Sequence, residues 1–230
     1  SVDPMPDERR DRVDFFGNSV VDVAYKGAQE HLNYKVTARV RRHSPQPRLT
    51  FSPSISLLTS ELAGIHSLAY GSPHHFLPCS PRIPIVPALA EYMGDIVPAN
   101  SSALDAVETL GLALNRDMEF DPRATTVDTP VAEAFAARHG VCQDFTHIMI
   151  GCLRTAGIPA GYVSGFLRTI PPKGKPRLQG ADALHAWVRA WCGTEVGWVA
   201  YDPTTAPISR TDHNIMARGR DYASSAPAQR

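Results

Sequence analysis

The sequence predicts an α+β fold, in which helices pack on an antiparallel sheet and a partial β-domain precedes them. Apolar residues between 142 and 156 recur at the spacing of a buried helical stripe. Three β-like segments, 161–168, 184–191 and 197–202, follow that helix in the chain. A separate alternation of apolar and polar residues over 32–40 predicts a half-buried strand near the N-terminus.

The composition is that of an ordinary globular protein and excludes several classes of partner. Of the 230 residues, 43% are hydrophobic and 20% are charged. Lys plus Arg and Asp plus Glu number 23 each, so no net charge attracts nucleic acid or an anionic membrane. No apolar run approaches the roughly 20 residues that cross a bilayer. We therefore expect neither nucleic acid nor a membrane as a partner.

The four cysteines lack CxxC pairs, which argues against a disulfide scaffold and a structural zinc module. They are Cys79, Cys142, Cys152 and Cys192. A nucleophilic thiol must stay reduced, so we expect a cytoplasmic location. His74, His75 and Cys79 lack a fourth ligand at a familiar spacing, so no metal site is predicted there.

Four regions are predicted along the chain. Residues 1–42 are interpreted as the remnant of an N-terminal β-domain. This region is predicted to have an unstructured start, a strand over 20–25 and then the alternating stretch. A homo-oligomer would form through these strands. Residues 43–83, rich in Pro and Ser, are interpreted as a linker with loops. Residues 84–210 form the predicted core, and 211–230 a loosely held tail.

The helices of the core have recognisable ends. Ser101 or Ser102 caps one helix, and Thr129 followed by Pro130 begins a shorter one that Gly140 is expected to stop. The next helix is predicted from Cys142 to Ala156. The loop over 170–181 is predicted to be flexible and, with the linker, is where gating is expected.

Cys142 is predicted to be a nucleophile because it begins a helix. The helix dipole and unpaired N–H groups at that end favour a thiolate and can hold the oxyanion formed by attack on a carbonyl. If the segments 184–191 and 197–202 form a hairpin turning near Gly193, His185 lies opposite Asp202. His185 would then be the base, and Asp202 would orient it. A slip of one residue would separate them onto opposite faces.

These residues carry a resemblance. Gly-Val-Cys-Gln-Asp-Phe-Thr-His at 140–147, the stretch 153–166, and the histidine and aspartate blocks at 182–188 and 197–204 resemble the bacterial transglutaminase-like cysteine protease family. The resemblance covers about residues 84–207. It implies a papain-like transglutaminase core, a Cys–His–Asp site and acyl transfer from an amide. No cofactor is expected. It leaves the substrate open, since the superfamily includes cross-linkers, peptidases, amidases and inactive members.

Other residues near the cysteine have plainer interpretations beside the functional ones. Gln143 and Asp144 are more typical of capping than of substrate contact, and His147 is interpreted as a packing residue. Trp187 is the best candidate to line the acyl site, and Cys152 is interpreted as a buried structural thiol. The Arg-Gly-Gly-x-Cys block of arylamine N-acetyltransferases is absent, as is an EF-hand loop, so neither acetyl-CoA nor calcium is expected.

The predicted function is cysteine-dependent acyl transfer that attacks a peptide or glutamine-type amide and passes the acyl group to water. Hydrolysis is the default because no feature of the sequence is dedicated to an amine acceptor. Amine-transferring protein cross-linking is the alternative among enzymes. A catalytically silent peptide-binding module is the alternative outside them, with strands over 19–41 as its interaction surface.

Overall fold

The computed structural model describes residues 1–37, 39–41, 51–168, 183–205 and 213–226. The helices are α1 Ile55–Ala63, α2 Pro87–Ile96, α3 Ala103–Asp117, α4 Val131–Ala137 and α5 Cys142–Thr155, with short 3₁₀ turns at Pro73–Phe76 and Tyr222–Ser224. The strands are β1 Val2–Asp3, β2 Glu8–Val13, β3 Ser19–Ala24, β4 Asn33–Tyr34, β5 Glu119–Phe120, β6 His139–Gly140, β7 Ala160–Leu167, β8 Ala183–Trp191, β9 Trp198–Tyr201 and β10 His213–Gly219. No helix in these described ranges is long and apolar enough to span a membrane.

A four-stranded antiparallel sheet in the order β10-β7-β8-β9 supports the core. Helix α5 packs on β7 and β8 and is surrounded by α2, α3 and α4. The predicted α+β architecture of helices on an antiparallel sheet is confirmed. Because α5 is covered on both sides, every residue from Gln143 to Leu153 is buried.

The predicted helix boundaries are confirmed with one correction. Ser102 caps α3 by accepting a hydrogen bond from the Asp105 amide at 3.1 Å. Helix α5 ends before Gly157, whose φ of +76° suits a residue without a side chain. Helix α4 does not reach Gly140, because Arg138 adopts the left-handed conformation with φ 58° and ends it.

The Pro/Ser-rich region differs from the predicted linker. Over residues 51–83 the chain forms α1 and a 3₁₀ turn, and it places Leu58, Phe76 and Ile83 in the core with at most 1% of their surface exposed. Pro73, for example, begins the 3₁₀ turn that ends at the buried Phe76. Residues 43–50 and the predicted gating loop at 170–181 lie outside the described residues.

The N-terminal residues differ from prediction in where their strands lie. Residues 1–12, expected to be unstructured, contain β1 and β2, and β2 pairs with β3 as a two-stranded ribbon. Among the described residues of the alternating stretch 32–40, Asn33–Tyr34 form β4, and Val36 is 85% exposed. The division of the chain into a β-domain remnant, linker, core and tail stays a prediction.

The C-terminal segment is not a loosely held tail over 213–226. Strand β10 pairs with β7 from His213↔Leu167 to Gly219↔Tyr162. Beyond it, the buried carboxylate of Asp221 accepts a hydrogen bond from the Arg82 amide at 2.9 Å. The sheet is therefore completed by a strand outside the predicted core boundary at residue 210.

Candidate active site

The structure places Cys142 at the first position of α5, with its side chain partly exposed. The helix start is fixed by Asp144, whose carboxylate accepts hydrogen bonds from the Val141 amide at 2.8 Å and the Thr125 hydroxyl at 2.6 Å. Gly140 makes room for it, since a Cβ there would lie 2.6 Å from Asp144 Oδ2. Asp144 therefore holds the turn that places Cys142 at the N-terminal end of α5.

His185 and Asp202 are in direct contact, but the predicted register is wrong by two residues. Val188 pairs with Tyr201, which places Trp187 opposite the position of Asp202. The hairpin loop is longer than expected, because the Cys192 amide bonds the Gly197 carbonyl at 2.9 Å. A slip of two keeps the side chains on one face, so Asp202 Oδ2 still accepts a hydrogen bond from His185 Nε2 at 2.7 Å.

Asp202 is buried, with 4% of its surface exposed, and receives hydrogen bonds on both oxygens. Oδ1 accepts from the amide and hydroxyl of Thr204, at 2.9 and 2.6 Å. Oδ2 accepts from His185, from Thr205 Oγ1 at 2.8 Å and from His213 Nε2 at 2.8 Å. Although burial alone would raise the pKa of Asp202, these donors hold that pKa well below its usual range. The carboxylate is thus a fixed anion.

His185 links this anion to the thiol. Nε2 is engaged by Asp202, which leaves Nδ1 as the ring nitrogen available to Cys142. Burial lowers the pKa of His185, but hydrogen bonds to Asp202 and then Cys142, with the charge on Asp202, outweigh it and raise the pKa to about 9. A cationic imidazole lies between a carboxylate and a sulfur, the arrangement that supports a thiolate–imidazolium pair.

His213 is a site residue that the sequence interpretation missed. It lies at the start of β10, is 7% exposed, and donates to the same Asp202 oxygen as His185. The alternation of Ile215 and Ala217 before Gly219 could have indicated a strand. Nothing in the local sequence indicates that the first residue of this strand lies beside Asp202.

The remaining predicted residues have structural partners. The side-chain amide of Gln143 donates to the Val127 carbonyl at 3.0 Å and so holds the preceding loop. Asp144 caps α5 as described above. Trp187, 2% exposed, packs edge-on against His213 with ring centroids 4.8 Å apart and lies 6.2 Å from the His185 ring. It therefore supports the two imidazoles from within the sheet.

His147 and the two buried thiols, Cys152 and Cys192, are kept unreactive by their surroundings. Burial lowers the pKa of His147 to about 4, and its Nε2 accepts a hydrogen bond from the Tyr222 amide at 3.2 Å, so it is neutral. Burial raises the pKa of Cys152 and Cys192 to about 12. Cys79 is exposed, and all four cysteines are free.

His185, Asp202 and His213 also form the cluster of potential metal ligands within the described residues, with ligand atoms within 4.8 Å of one another. Their Nε2···Oδ2 separations of 2.7 and 2.8 Å are hydrogen-bond distances. Tetrahedral zinc, bound at about 2.0–2.2 Å, would hold its ligand atoms roughly 3.4 Å apart. In this structure the cluster is held together by hydrogen bonds to one shared carboxylate oxygen.

A helix that begins at a partly exposed cysteine, packed on an antiparallel sheet carrying a His–Asp pair, defines a papain-like thiol fold. Residues 90–203 match the family model described as the transglutaminase-like superfamily. The chain belongs to this superfamily, as the sequence resemblance predicted.

The chain is similar to other proteins over different lengths. The chain is 32% identical over 99% of its length to the protein Rv2569c of Mycobacterium tuberculosis and covers 73% of that protein. Over 52% of the chain it is 33% identical to a protein-glutamine gamma-glutamyltransferase of Pseudomonas aeruginosa, of which it covers 20%. A crystal structure from Cytophaga hutchinsonii, provisionally assigned as a cysteine protease, aligns with a TM-score of 0.54 at 24% identity. That alignment covers 66% of this chain and 48% of the other, so the chain spans about half of it and shares its fold.

Proposed function

We propose that the protein is a cysteine-dependent acyl-transfer enzyme that hydrolyses a peptide or glutamine-type amide. The observation that supports this most directly is the chain of contacts from Asp202 through His185 to Cys142 at a helix start. Each member supplies what the next requires: a fixed anion, an oriented base and a thiol at the positive end of a helix.

The proposed reaction proceeds through a thioester. In the resting pair His185 already holds the proton taken from Cys142, and the thiolate sulfur attacks the amide carbon, forming a C–S bond while the carbonyl oxygen becomes an oxyanion. In this proposal the backbone N–H of Cys142, at the start of α5, stabilises that charge. When the C–N bond breaks, His185 gives its proton to the departing amine or ammonia. Water, deprotonated by His185, then cleaves the C–S bond and releases a carboxylic acid and the free thiol.

Amine transfer is the second candidate, favoured by the similarity to the Pseudomonas protein-glutamine gamma-glutamyltransferase. In that case a primary amine, instead of water, attacks the thioester and forms a new amide. Both reactions share the acylation step and release ammonia from a glutamine side chain. They differ only in the acceptor.

A panel of glutamine-containing and ordinary peptides, supplied with a labelled primary amine, tests the proposal. Hydrolysis predicts ammonia or new peptide termini without label, whereas transfer predicts label in the peptide. The Cys142→Ala variant must be inactive in either case, and the Cys152→Ala variant should retain activity because that thiol is buried in the core. Product formation by Cys142→Ala would contradict the proposal.

A further inference from the structure

We propose that His213 is a positioning residue of this site, and that β10 is consequently part of the active site. The inference rests on the proposed function and extends it to a residue beyond the 90–203 segment that matches the superfamily. His213 does not contact Cys142 through any described hydrogen bond. Its role is exerted through Asp202, the residue that it shares with His185.

The first argument is the way in which Asp202 is held. Asp202 follows β9, which ends at Tyr201, so no strand pairing fixes its backbone. Thr204 and Thr205 bond its carboxylate, but both belong to the same turn and move with it. Among the described donors, His185 and His213 bind Asp202 from outside that turn. His213 therefore anchors the orienting residue to a second strand, independently of the base that it must orient.

The second argument is the position of His213 in the sheet. Strands β9 and β10 are the two edges of the order β10-β7-β8-β9, three strand spacings or roughly 14 Å apart. The 2.8 Å bond between Asp202 and His213 nevertheless joins the residue that follows β9 to the first residue of β10. The bond therefore connects the two edge strands of the sheet across β7 and β8. A movement of β10 is thus transmitted to the carboxylate and from there to His185.

The third argument is the packing of the rings. The Trp187 indole contacts the His213 ring edge-on and lies on the same side of β8 as His185. Gly165 makes this packing possible, since a Cβ there would lie 2.6 Å from Trp187 Cη2 and would collide with the Asn214 carbonyl oxygen. His213, Trp187 and His185 form one packed unit around Asp202. Rotation of the His213 ring is restricted, so its Nε2–H is directed at Oδ2.

The chemistry that follows is specific to the donor at Nε2. A hydrogen bond to a charged group is worth roughly a factor of ten or more in an equilibrium, so its loss weakens the hold on Oδ2, the oxygen that orients His185. Glutamine places its amide nitrogen near the position of histidine Nε2, and asparagine places its own near Nδ1, short of Asp202. Phenylalanine keeps the ring without any donor. These three substitutions separate hydrogen bonding from packing.

The experiment measures the rate of iodoacetamide alkylation of Cys142 by mass spectrometry, with exposed Cys79 as an internal reference in every sample. In His213→Phe and His213→Asn, the alkylation rate of Cys142 is expected to fall by about tenfold or more relative to the wild type. His213→Gln is expected to restore most of the rate. Thermal unfolding of each variant establishes whether it is folded. If His213→Phe does not fold, the comparison is made with His213→Asn.

The outcomes distinguish this inference from the proposed function. If wild-type Cys142 reacts no faster than Cys79 and His185→Ala changes nothing, the proposed function fails. If Cys142 is alkylated rapidly in the wild type and slowly in His185→Ala, the proposed function is supported. The alkylation rates of the His213 variants then test the role of His213. Wild-type rates in folded His213→Phe or His213→Asn, or a His213→Gln as slow as they are, would overturn the role of His213.

Discussion

At the scale of single residues, the site depends on the Asp202 carboxylate. Both of its oxygens accept hydrogen bonds, and one of these bonds fixes the orientation of the His185 imidazole. Asp202 accepts from two histidines and two threonines and is almost fully removed from water. A buried anion with these donors does not take the proton of His185. It instead stabilises the imidazolium, and that is the state required beside a thiolate.

The charge on Asp202 is therefore expected to matter more than any one of its threonine donors. Asp202→Asn keeps the shape but removes the anion, so the Cys142 alkylation rate at neutral pH should fall by at least about tenfold. Thr205→Val removes a single donor, and its effect should be about threefold or less. The same mass-spectrometric rate measurement compares both variants. An Asp202→Asn variant as fast as Thr205→Val would contradict the assigned role of the carboxylate.

The raised pKa of His185 predicts a pH-dependent stability. Its proton is bound more tightly in the folded chain, with a pKa of about 9 against 6.5 for the free side chain. The resulting stabilisation is complete below pH 6.5 and is lost as the pH rises to about 9. Urea unfolding should therefore show a larger stability difference between the wild type and His185→Ala at about pH 6 than at about pH 9.5. A constant or increasing difference would contradict the raised pKa.

At the scale of elements, strand pairing between β7 and β10 delivers His213 to Asp202. Gly165→Ala inserts a methyl group against the Asn214 carbonyl and the Trp187 ring. We expect a loss of about 1–3 kcal/mol in the free energy of unfolding, together with slower alkylation of Cys142. Gly94→Ala is the matched control, because Gly94 lies exposed in α2 with open space around its Cα.

The control should be neutral or stabilising by up to about 1 kcal/mol, as expected for Ala in a helix. Chemical denaturation and the alkylation rate are measured on both variants. Equal behaviour of Gly165→Ala and Gly94→Ala would contradict the expected dependence of the site on close packing between β7 and β10.

Several elements could be predicted because their signals are local. The stripe of α5, the Ser102 cap and the β-like runs of β7, β8 and β9 are all encoded within short windows of sequence. The hairpin register was wrong by two because the loop from Gly193 to Val196 is longer than a tight turn. The His–Asp contact survived this error, since side chains of a strand repeat with a period of two.

The partners of distant segments could not be predicted in this way. His213 reaches Asp202 only because β10 pairs with β7, more than forty residues earlier in the chain. Likewise, the Pro-rich stretch before residue 84 resembles a linker locally, yet Phe76 is fully buried against the sheet domain. Both misjudgements concern contacts decided by tertiary packing and not by local pattern.

At the scale of the whole molecule, Arg154 joins the segments that surround α5. Its guanidinium donates to the carbonyls of Phe76, Ala160 and Arg220 at 2.7–3.1 Å and to Ser80 Oγ at 3.1 Å. These partners come from the former linker region, β7 and the C-terminal segment. One side chain thus connects the parts of the chain that the sequence interpretation kept separate.

Removing this connection should destabilise the fold. Arg154→Met leaves several inward-facing acceptors without a donor, so the free energy of unfolding should fall by about 3 kcal/mol or more. Arg154→Lys keeps a charge but lacks the planar guanidinium. Its free energy of unfolding should therefore lie between those of the wild type and Arg154→Met. Arg123→Met, at an exposed position, should change stability by no more than about 0.5 kcal/mol. Urea denaturation curves in which Arg154→Met and Arg123→Met coincide would contradict this role.

The central claim is that Cys142 is activated by His185, and competitive alkylation tests it most directly. Wild-type protein is treated with substoichiometric iodoacetamide at neutral pH, and the modified fraction of each cysteine is measured by mass spectrometry. We predict that Cys142 is labelled far ahead of exposed Cys79, that Cys152 and Cys192 stay unmodified, and that His185→Ala abolishes the preference for Cys142. Equal labelling of Cys142 and Cys79 in the wild type, or a preference unchanged in His185→Ala, would contradict the claim.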